Sequence, residues 1–337
     1  MDKESFSDIG KVEAIRILLE NSGAKGHTDS SFFSSKGSVV RTASRLWSEG
    51  IDFDLTYFPL KHLGYKCVIG TVGDIYAKLG KPVSMSVRLG ISAKLDFPQV
   101  KELWEGISAA AKEHNIGKLD LDLLPSRNGL TISIVITGET DGETEAARKP
   151  ANSKDLLCLS GNVGAAFLGM SLLEKGKSKF EKEGAGALDK DFDKYRMLIG
   201  AYLKPEMDSD IVSRMKDADV TPSSGYTVSG GLADALRRVR RDTGLGVKVY
   251  TGKIPFEGNS FEAGKLLGID PVSAAMNGGD DFRLLYVVPI QMYEKIRHDF
   301  QTFEIIGHLA RPDVGTVIVT PEGAEMPVHA QGWPDEE

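Results

Sequence analysis

The chain has 337 residues, of which 41% are hydrophobic and 26% are charged, and its formal net charge is −7. This size and composition predict an ordinary soluble globular protein with one large domain or two domains. The acidic balance argues against nucleic acid as a partner, because binding to phosphate backbones needs clustered basic side chains. One dense basic run, RRVRR at 237–241, follows an Ala-Leu helical pattern, and we interpret it as a solvated helix face.

The N-terminus and the cysteines indicate the compartment. Residues 1–15 are polar and acidic and lack the apolar core of a signal peptide, and no apolar run is long enough to span a bilayer. Cys67 and Cys158 stand in apolar company and far apart, which predicts buried thiols in a reducing compartment, without a disulfide framework or zinc spacing. We therefore expect a cytoplasmic protein with no membrane partner.

The longest helical pattern runs from 60 to 79 and is ended by Gly80 and Pro82. Asp74 lies one turn before that stop among apolar residues, where a charge needs a partner such as a cation. A hydrogen bond to a neighbouring loop is the simpler alternative and, on this stretch alone, the commoner one. Three lysines lie off the apolar stripe: Lys61, Lys66 and Lys78.

Other periodic segments of the first half flank this helix. Residues 4–20 have helical spacing, and a Gly- and Ser-rich loop with Asp29 follows. Asp96 is placed to cap a further helix, and strands are predicted over 83–91, 118–123 and 130–137. In the second of these strands, leucines occupy one face and two acids, Asp120 and Asp122, the other; solvation of the acids is the common outcome, and a shared cation the alternative.

A polar stretch at 138–154 is the predicted domain boundary, which gives an N-terminal α/β domain over 1–145 and a C-terminal α/β domain over 150–337. After the boundary, a strand over 156–160 runs into GNVGAAFLG at 161–169. A strand, a glycine turn and a helix can present backbone N–H groups to a phosphate, although such turns also serve packing alone. Residues 172–190 are interpreted as an exposed excursion, and 290–300 as a helix.

Six motifs follow one another through the chain: FDLTYFPLKHLGYK, GDIYAKLGKP, GNVGAA, LKPE, NGGDDF and QGW. In order and spacing they resemble the thiamine-monophosphate kinase family, over almost the whole chain from Ile9 to Trp333. The resemblance implies the two-domain α/β (α+β) fold of aminoimidazole ribonucleotide synthetase, with N-terminal strands that pair across a homodimer into a barrel. It also implies transfer of the ATP γ-phosphoryl group to thiamine monophosphate, with Mg²⁺ ions held by carboxylates in the cleft between the domains.

The resemblance assigns roles to individual positions. The metal ligands would be Asp29, Asp74 and Asp122. The nucleotide contacts would be Ser44, Arg148, Gly161, Gly164 and Ser229. The substrate contacts would be Asp52, Asp280 and Trp333.

Several acids of the family pattern are replaced. The Thr-Thr-Asp stretch that the family uses for metal and nucleotide is Ala43, Ser44, Arg45, so a guanidinium stands in place of a carboxylate. The family's Asp-x-Ser-Asp-Gly is 227–231, TVSGG, and Asp52 stands in place of a substrate-binding histidine. Because phosphoryl transfer depends on positioning and on charge neutralisation by metal, these changes predict a loss or weakening of transfer.

Three hypotheses follow. The first is a family member that still binds nucleotide or thiamine phosphate but transfers poorly. The second is a working kinase in which a reduced magnesium set remains and Arg45 contacts phosphate directly. The third is a structural or interaction homodimer. Convergence of the three acids on one point would favour the second hypothesis, and Arg45 pointing into that space would count against it.

Overall fold

The computed structural model describes residues 31–35, 37–183, 193–300 and 302–333. The predicted helix at 4–20 and Asp29 lie outside these residues. The chain forms two open, mixed α/β layers, each built on one sheet. Over these residues the first sheet has five strands in the order β1-β2-β5-β3-β4, namely β1 (Ser31–Ser35), β2 (Ser38–Ser48), β3 (Lys81–Ser92), β4 (Lys118–Ser126) and β5 (Thr131–Asp141).

Helix α1 (Leu60–Ala77) is the centre of the first layer, as the apolar pattern predicts. It packs against β2, β5 and helix α2 (Phe97–Glu113), which begins at the predicted cap, Asp96. Every residue of α1 from Leu63 to Ala77 is buried, so the helix has no solvated face in its second half. The prediction that Lys66 lies off the buried stripe is therefore wrong: its side chain has no exposed surface.

Among the described strands, β4 lies at the edge of the first sheet, and its one partner there is β3, which runs parallel to it. The predicted alternation is present, but its leucines face outward rather than a core. Four of them are between 39% and 52% exposed: Leu119, Leu121, Leu123 and Leu124. Among the described residues neither sheet closes on itself, so the barrel across a homodimer stays a prediction.

In the part of the chain that the structure describes, the second sheet has seven strands in the order β12-β11-β8-β10-β6-β9-β7, and β8 and β11 are its one parallel pair. Its strands are β6 (Leu156–Leu159), β7 (Ser224–Val228), β8 (Gly246–Tyr250), β9 (Arg283–Val288), β10 (Glu304–Ala310), β11 (Thr316–Val319) and β12 (Glu325–Pro327). The helices of the chain after α2 are α3 (Gly142–Ala147), α4 (Ala165–Glu183), α5 (Arg196–Leu203), α6 (Ile211–Asp217), α7 (Leu232–Thr243), α8 (Ser260–Leu267) and α9 (Pro271–Asn277).

Two predicted segments differ in the structure. Helix α4 continues to Glu183, so the stretch from 172 to 183, which we interpreted as part of an exposed excursion, is the largely exposed end of a helix. Residues 290–300 do not form a regular α-helix: a 3₁₀ turn at Ile290–Met292 is followed by a π-helical turn at Lys295–Asp299. The basic run is also not a solvated face, because Arg237 and Arg238 on α7 are 7% and 5% exposed.

One apolar core is shared by the two layers. It contains Tyr76 from α1 together with Tyr286 from β9 and Phe303, and the Tyr286 hydroxyl donates to the Tyr76 carbonyl at 2.8 Å. The polar stretch from 138 to 154 contains the end of β5 and helix α3. The division into domains at this stretch stays a prediction. None of the described helices is long and apolar enough to cross a bilayer.

Candidate active site

A turn of residues 277–283, NGGDDFR, connects α9 to β9 and contacts three separate parts of the chain. Asp280 and Phe282 have φ of 63° and 48°. These values lie in the left-handed region, which residues other than glycine rarely adopt. Such strain costs about 1 kcal/mol or more per residue and persists only when surrounding contacts hold it. Here the contacts come from the side chains of the turn itself.

Asp280 holds a completely buried lysine. The Lys66 Nζ donates to the Asp280 Oδ2 at 2.8 Å and lies 3.5 Å from the centre of the Tyr202 ring. Burial lowers the pKa of Lys66, and the attraction of Asp280 counteracts that shift. Asp280 keeps about a third of its side chain (32%) exposed, so it presents a paired carboxylate to solvent. Sequence reasoning missed Lys66, and the only signal for it was the position of a lysine on an otherwise apolar helix.

Asp281 occupies the backbone groups that we expected to receive phosphate. Its Oδ2 accepts from the Gly164 N–H at 2.7 Å and its Oδ1 from the Ala166 N–H at 3.1 Å, at the start of α4. Burial raises the pKa of Asp281 to about 7, although both N–H bonds favour the ionised form. An internal acid thus holds this helix start, and Gly161, with φ of 145°, lies beside Arg283.

Asp74 is paired with the residue that replaces a family acid. The Arg45 Nη2 donates to the Asp74 Oδ2 at 3.1 Å, and the guanidinium lies 5.9 Å from the centre of the Phe282 ring. The Asp74 side chain is 7% exposed and that of Arg45 is 24% exposed. A buried carboxylate therefore has its counter-charge from the chain itself, and Arg45 points into the space where a shared cation was predicted.

Asp122 lies elsewhere, on the exposed edge strand β4. The Arg88 Nε lies 3.9 Å from the Asp122 Oδ2, and the Arg88 Nη2 lies 2.8 Å from the Asp120 Oδ2. Across residues 31–35, 37–183, 193–300 and 302–333, no three His, Cys, Asp or Glu side chains are grouped so that they could hold a metal ion. The described acids therefore do not fit the magnesium set that the resemblance implies, and Asp29 lies outside the residues described.

The remaining nucleotide candidates are spread over both layers. Ser44 is exposed on β2, next to Arg45. Arg148 donates from Nη2 to the Ser223 carbonyl at 3.0 Å and lies 3.4 Å from Glu145. Ser229 follows β7, and its carbonyl accepts from the Asp280 N–H at 2.9 Å. Ser229 therefore lies beside the turn at 277–283. Arg148, in contrast, connects the end of α3 to the residue before β7 by a hydrogen bond.

The two other substrate candidates have internal partners. The Asp52 Oδ2 accepts from the Ser48 N–H at 2.7 Å. The negative charge of Asp52 also counteracts, together with that of Asp280, the lowering of the Lys66 pKa by burial. The Trp333 Nε1 donates to the Asp234 Oδ1 at 2.8 Å, and the guanidinium of Arg237 lies 5.4 Å from the Trp333 ring centre. The basic run thus packs on this tryptophan, which sequence reasoning did not predict.

Comparison with known proteins assigns the fold. The family described as AIR synthase related protein, N-terminal domain, matches residues 36–140. Thiamine-monophosphate kinase from Aquifex aeolicus (strain VF5) is 22% identical over 289 residues, which span 86% of this chain and 88% of that protein. The solved structure of AaThiL complexed with AMPPCP and TMP covers 99% of both chains with a TM-score of 0.81 and 20% identity.

A second group of relatives has the same fold. The hydrogenase maturation protein HypE, solved in complex with ATP, covers 96% of both chains with a TM-score of 0.65 and 16% identity. At these identities the structural likeness establishes the fold alone. Over residues 36–140 the chain matches the AIR synthase related protein, N-terminal domain, and over most of its length it is similar to thiamine-monophosphate kinases at 21–22% identity.

Proposed function

We propose that this chain binds ATP and thiamine monophosphate but transfers the γ-phosphoryl group slowly or not at all. The observation that carries the proposal is the ion pair between Arg45 and Asp74. A nucleotide and a phosphate nucleophile are both anionic, so their approach requires neutralisation by cations held at carboxylates. Asp74 is a buried carboxylate of the site, and its charge is already neutralised by Arg45.

Further support comes from the pairing of the other candidate acids. Asp280 is bound by Lys66, and Asp122 lies near Arg88. A divalent cation at any of these acids would have to displace or tolerate a cationic side chain. Two like charges about 4 Å apart repel by about 4 kcal/mol at an effective dielectric of ~20, and a doubly charged ion repels more. The alternative of an active kinase with a reduced magnesium set, in which Arg45 contacts phosphate, is disfavoured because Arg45 is engaged with Asp74.

Binding itself is supported by the preserved framework around the site. The turn at 277–283 meets both Ser229 and the start of α4 at one place, although Asp281 already occupies the N–H groups of that helix start. The relatives include an AaThiL complexed with AMPPCP and TMP and a HypE in complex with ATP. These complexes support a small-molecule site at the corresponding cleft of this chain.

The decisive experiment incubates the purified protein with ATP, Mg²⁺ and thiamine monophosphate and measures the diphosphate product. We expect product at least ~10³-fold slower than the usual kinase turnover of about 1–100 s⁻¹. Calorimetry with each ligand tests binding separately. Turnover in the ordinary range refutes the loss of transfer, and absence of saturable binding for both ligands refutes the binding role.

We also propose that the chain is a homodimer. The leucines exposed on β4 form an apolar stripe on a strand edge to which no other described strand pairs, and soluble proteins normally cover such a surface. A second copy would cover it with the same strand. Sedimentation should give a dimer mass, and Leu121→Lys should give a folded monomer; a monomeric native protein contradicts this part.

A cytoplasmic location is supported by the two free, buried thiols.

A further inference from the structure

The side chain of Arg45 takes the position of a counter-ion at a buried carboxylate. Its Nη2 is 3.1 Å from the Asp74 Oδ2, and it approaches from β2 while Asp74 projects from α1. A buried carboxylate that stays ionised is usually stabilised by a positive partner or by hydrogen-bond donors within the protein. In this chain that partner is a single, covalently tethered positive charge.

The fit of the guanidinium at this position is incomplete. The Arg45 Nε is buried and has no acceptor among the described residues. The Thr227 Oγ1 is also buried without a partner among them, and it lies 3.0 Å from the point where a Cβ on Gly73 would stand. A hydroxyl oxygen therefore approaches α1 at Gly73, the residue before Asp74. Carboxylate and hydroxyl oxygens are ligands for hard divalent cations such as Mg²⁺ and Mn²⁺.

We propose that Arg45 is a built-in replacement for a divalent cation at Asp74, and that removing its guanidinium opens a divalent-cation site there. The native chain keeps the carboxylate neutralised without metal, whereas a cation that approached Asp74 would meet the positive charge of Arg45 first. This inference concerns cation binding rather than phosphoryl transfer. Its test therefore gives a result whether or not the protein proves to be a kinase.

The experiment measures Mn²⁺ binding by electron paramagnetic resonance of the free ion, on the native protein and on variants. Arg45→Glu replaces the guanidinium with a second carboxylate that faces Asp74. Because Mg²⁺-type sites commonly use one or two carboxylates and several waters, we expect Arg45→Glu to bind Mn²⁺ at least about tenfold more tightly than the native protein. Adding Asp74→Asn to Arg45→Glu should return the affinity to the native value.

The matched control is Arg88→Glu, which makes the same change of charge beside two acids on the exposed strand β4 rather than in the buried site. An equal gain in Arg88→Glu would show a general charge effect and would overturn the proposal. So would an Arg45→Glu protein that binds no more tightly than the native one, a gain that survives Asp74→Asn, or native Mn²⁺ binding that Asp74→Asn removes. If Arg45→Glu does not fold, Arg45→Gln carries the test: an Asp74-dependent gain supports the proposal, and no gain overturns it.

Discussion

The crossing of α1 and α2 permits a prediction in which helix propensity and packing have opposite signs. Gly106 on α2 lies against the backbone of α1, because a Cβ built on it would be 1.9 Å from the Lys61 carbonyl oxygen and 3.0 Å from the Tyr65 nitrogen. By propensity alone, alanine in a helix interior is about 1 kcal/mol more favourable than glycine. Both contacted atoms are backbone, so no side chain can rotate away and the two helices must separate.

Overpacking in a buried contact usually costs 1–3 kcal/mol, and a contact this short belongs at the upper end of that range or above it. After subtraction of the gain in helix propensity, we expect Gly106→Ala to lower the free energy of unfolding by about 2–3 kcal/mol. The control is Gly200→Ala on α5, where a Cβ would meet nothing within 4 Å. There we expect a gain of about 0.5–1 kcal/mol. Equilibrium urea unfolding measures both changes, and a Gly106→Ala protein as stable as the native one would refute the packing argument.

Three further predictions concern the turn at 277–283 and its contacts. Gly164→Ala puts a Cβ 2.8 Å from the Ala275 backbone nitrogen at a φ of 81°, so we expect a loss of about 2–4 kcal/mol in urea unfolding, and an unchanged midpoint would contradict it. The pKa of Asp281 is raised from 3.8 to about 7. Protonated Asp281 therefore contributes its full stabilisation below pH ~4, and this contribution is lost as the pH rises through 7. Relative to Asp281→Asn, the native protein should lose up to about 4 kcal/mol across that range, and a constant difference between the two would be evidence against the shift. In a double-mutant cycle, Lys66→Met and Asp280→Asn should show a coupling energy of about 2 kcal/mol. This value is below the 3–5 kcal/mol cost of breaking a fully buried ion pair, because the Asp280 side chain is a third exposed. Additivity of the two changes would refute the coupling.

Much of the fold followed from local pattern. The period of apolar residues predicted α1, and the Asp96 cap predicted the start of α2, because both depend on neighbours within a few positions. The exposure of β4 did not follow, since alternation identifies the two faces of a strand but not its place at the edge of a sheet. The apolar residues at 290–300 also have the spacing of an α-helix. The 3₁₀ and π-helical turns found there differ from an α-helix in which carbonyl accepts from each N–H, and the spacing of side chains does not reveal this.

The site was predictable to a lesser degree. The replacement of a family acid by Arg45 was visible in the sequence, but its contact with Asp74 depends on how β2 and α1 lie in space. The partner of Lys66 is 214 residues away, and no local pattern connects two such positions. For the same reason sequence reasoning assigned the glycine turn to phosphate, whereas its N–H groups are held by Asp281.

The aromatic core that α1 shares with β9 and Phe303 has a consequence for how the protein melts. If the chain were cut within its polar middle stretch, each fragment would carry rings and a tyrosine hydroxyl that had lost their neighbours. The second layer also has buried clusters of its own, so the shared rings are the part of the interior that both fragments would lose. Scanning calorimetry of the intact protein should accordingly give one heat-absorption peak, because unfolding of either layer exposes the core that it shares with the other.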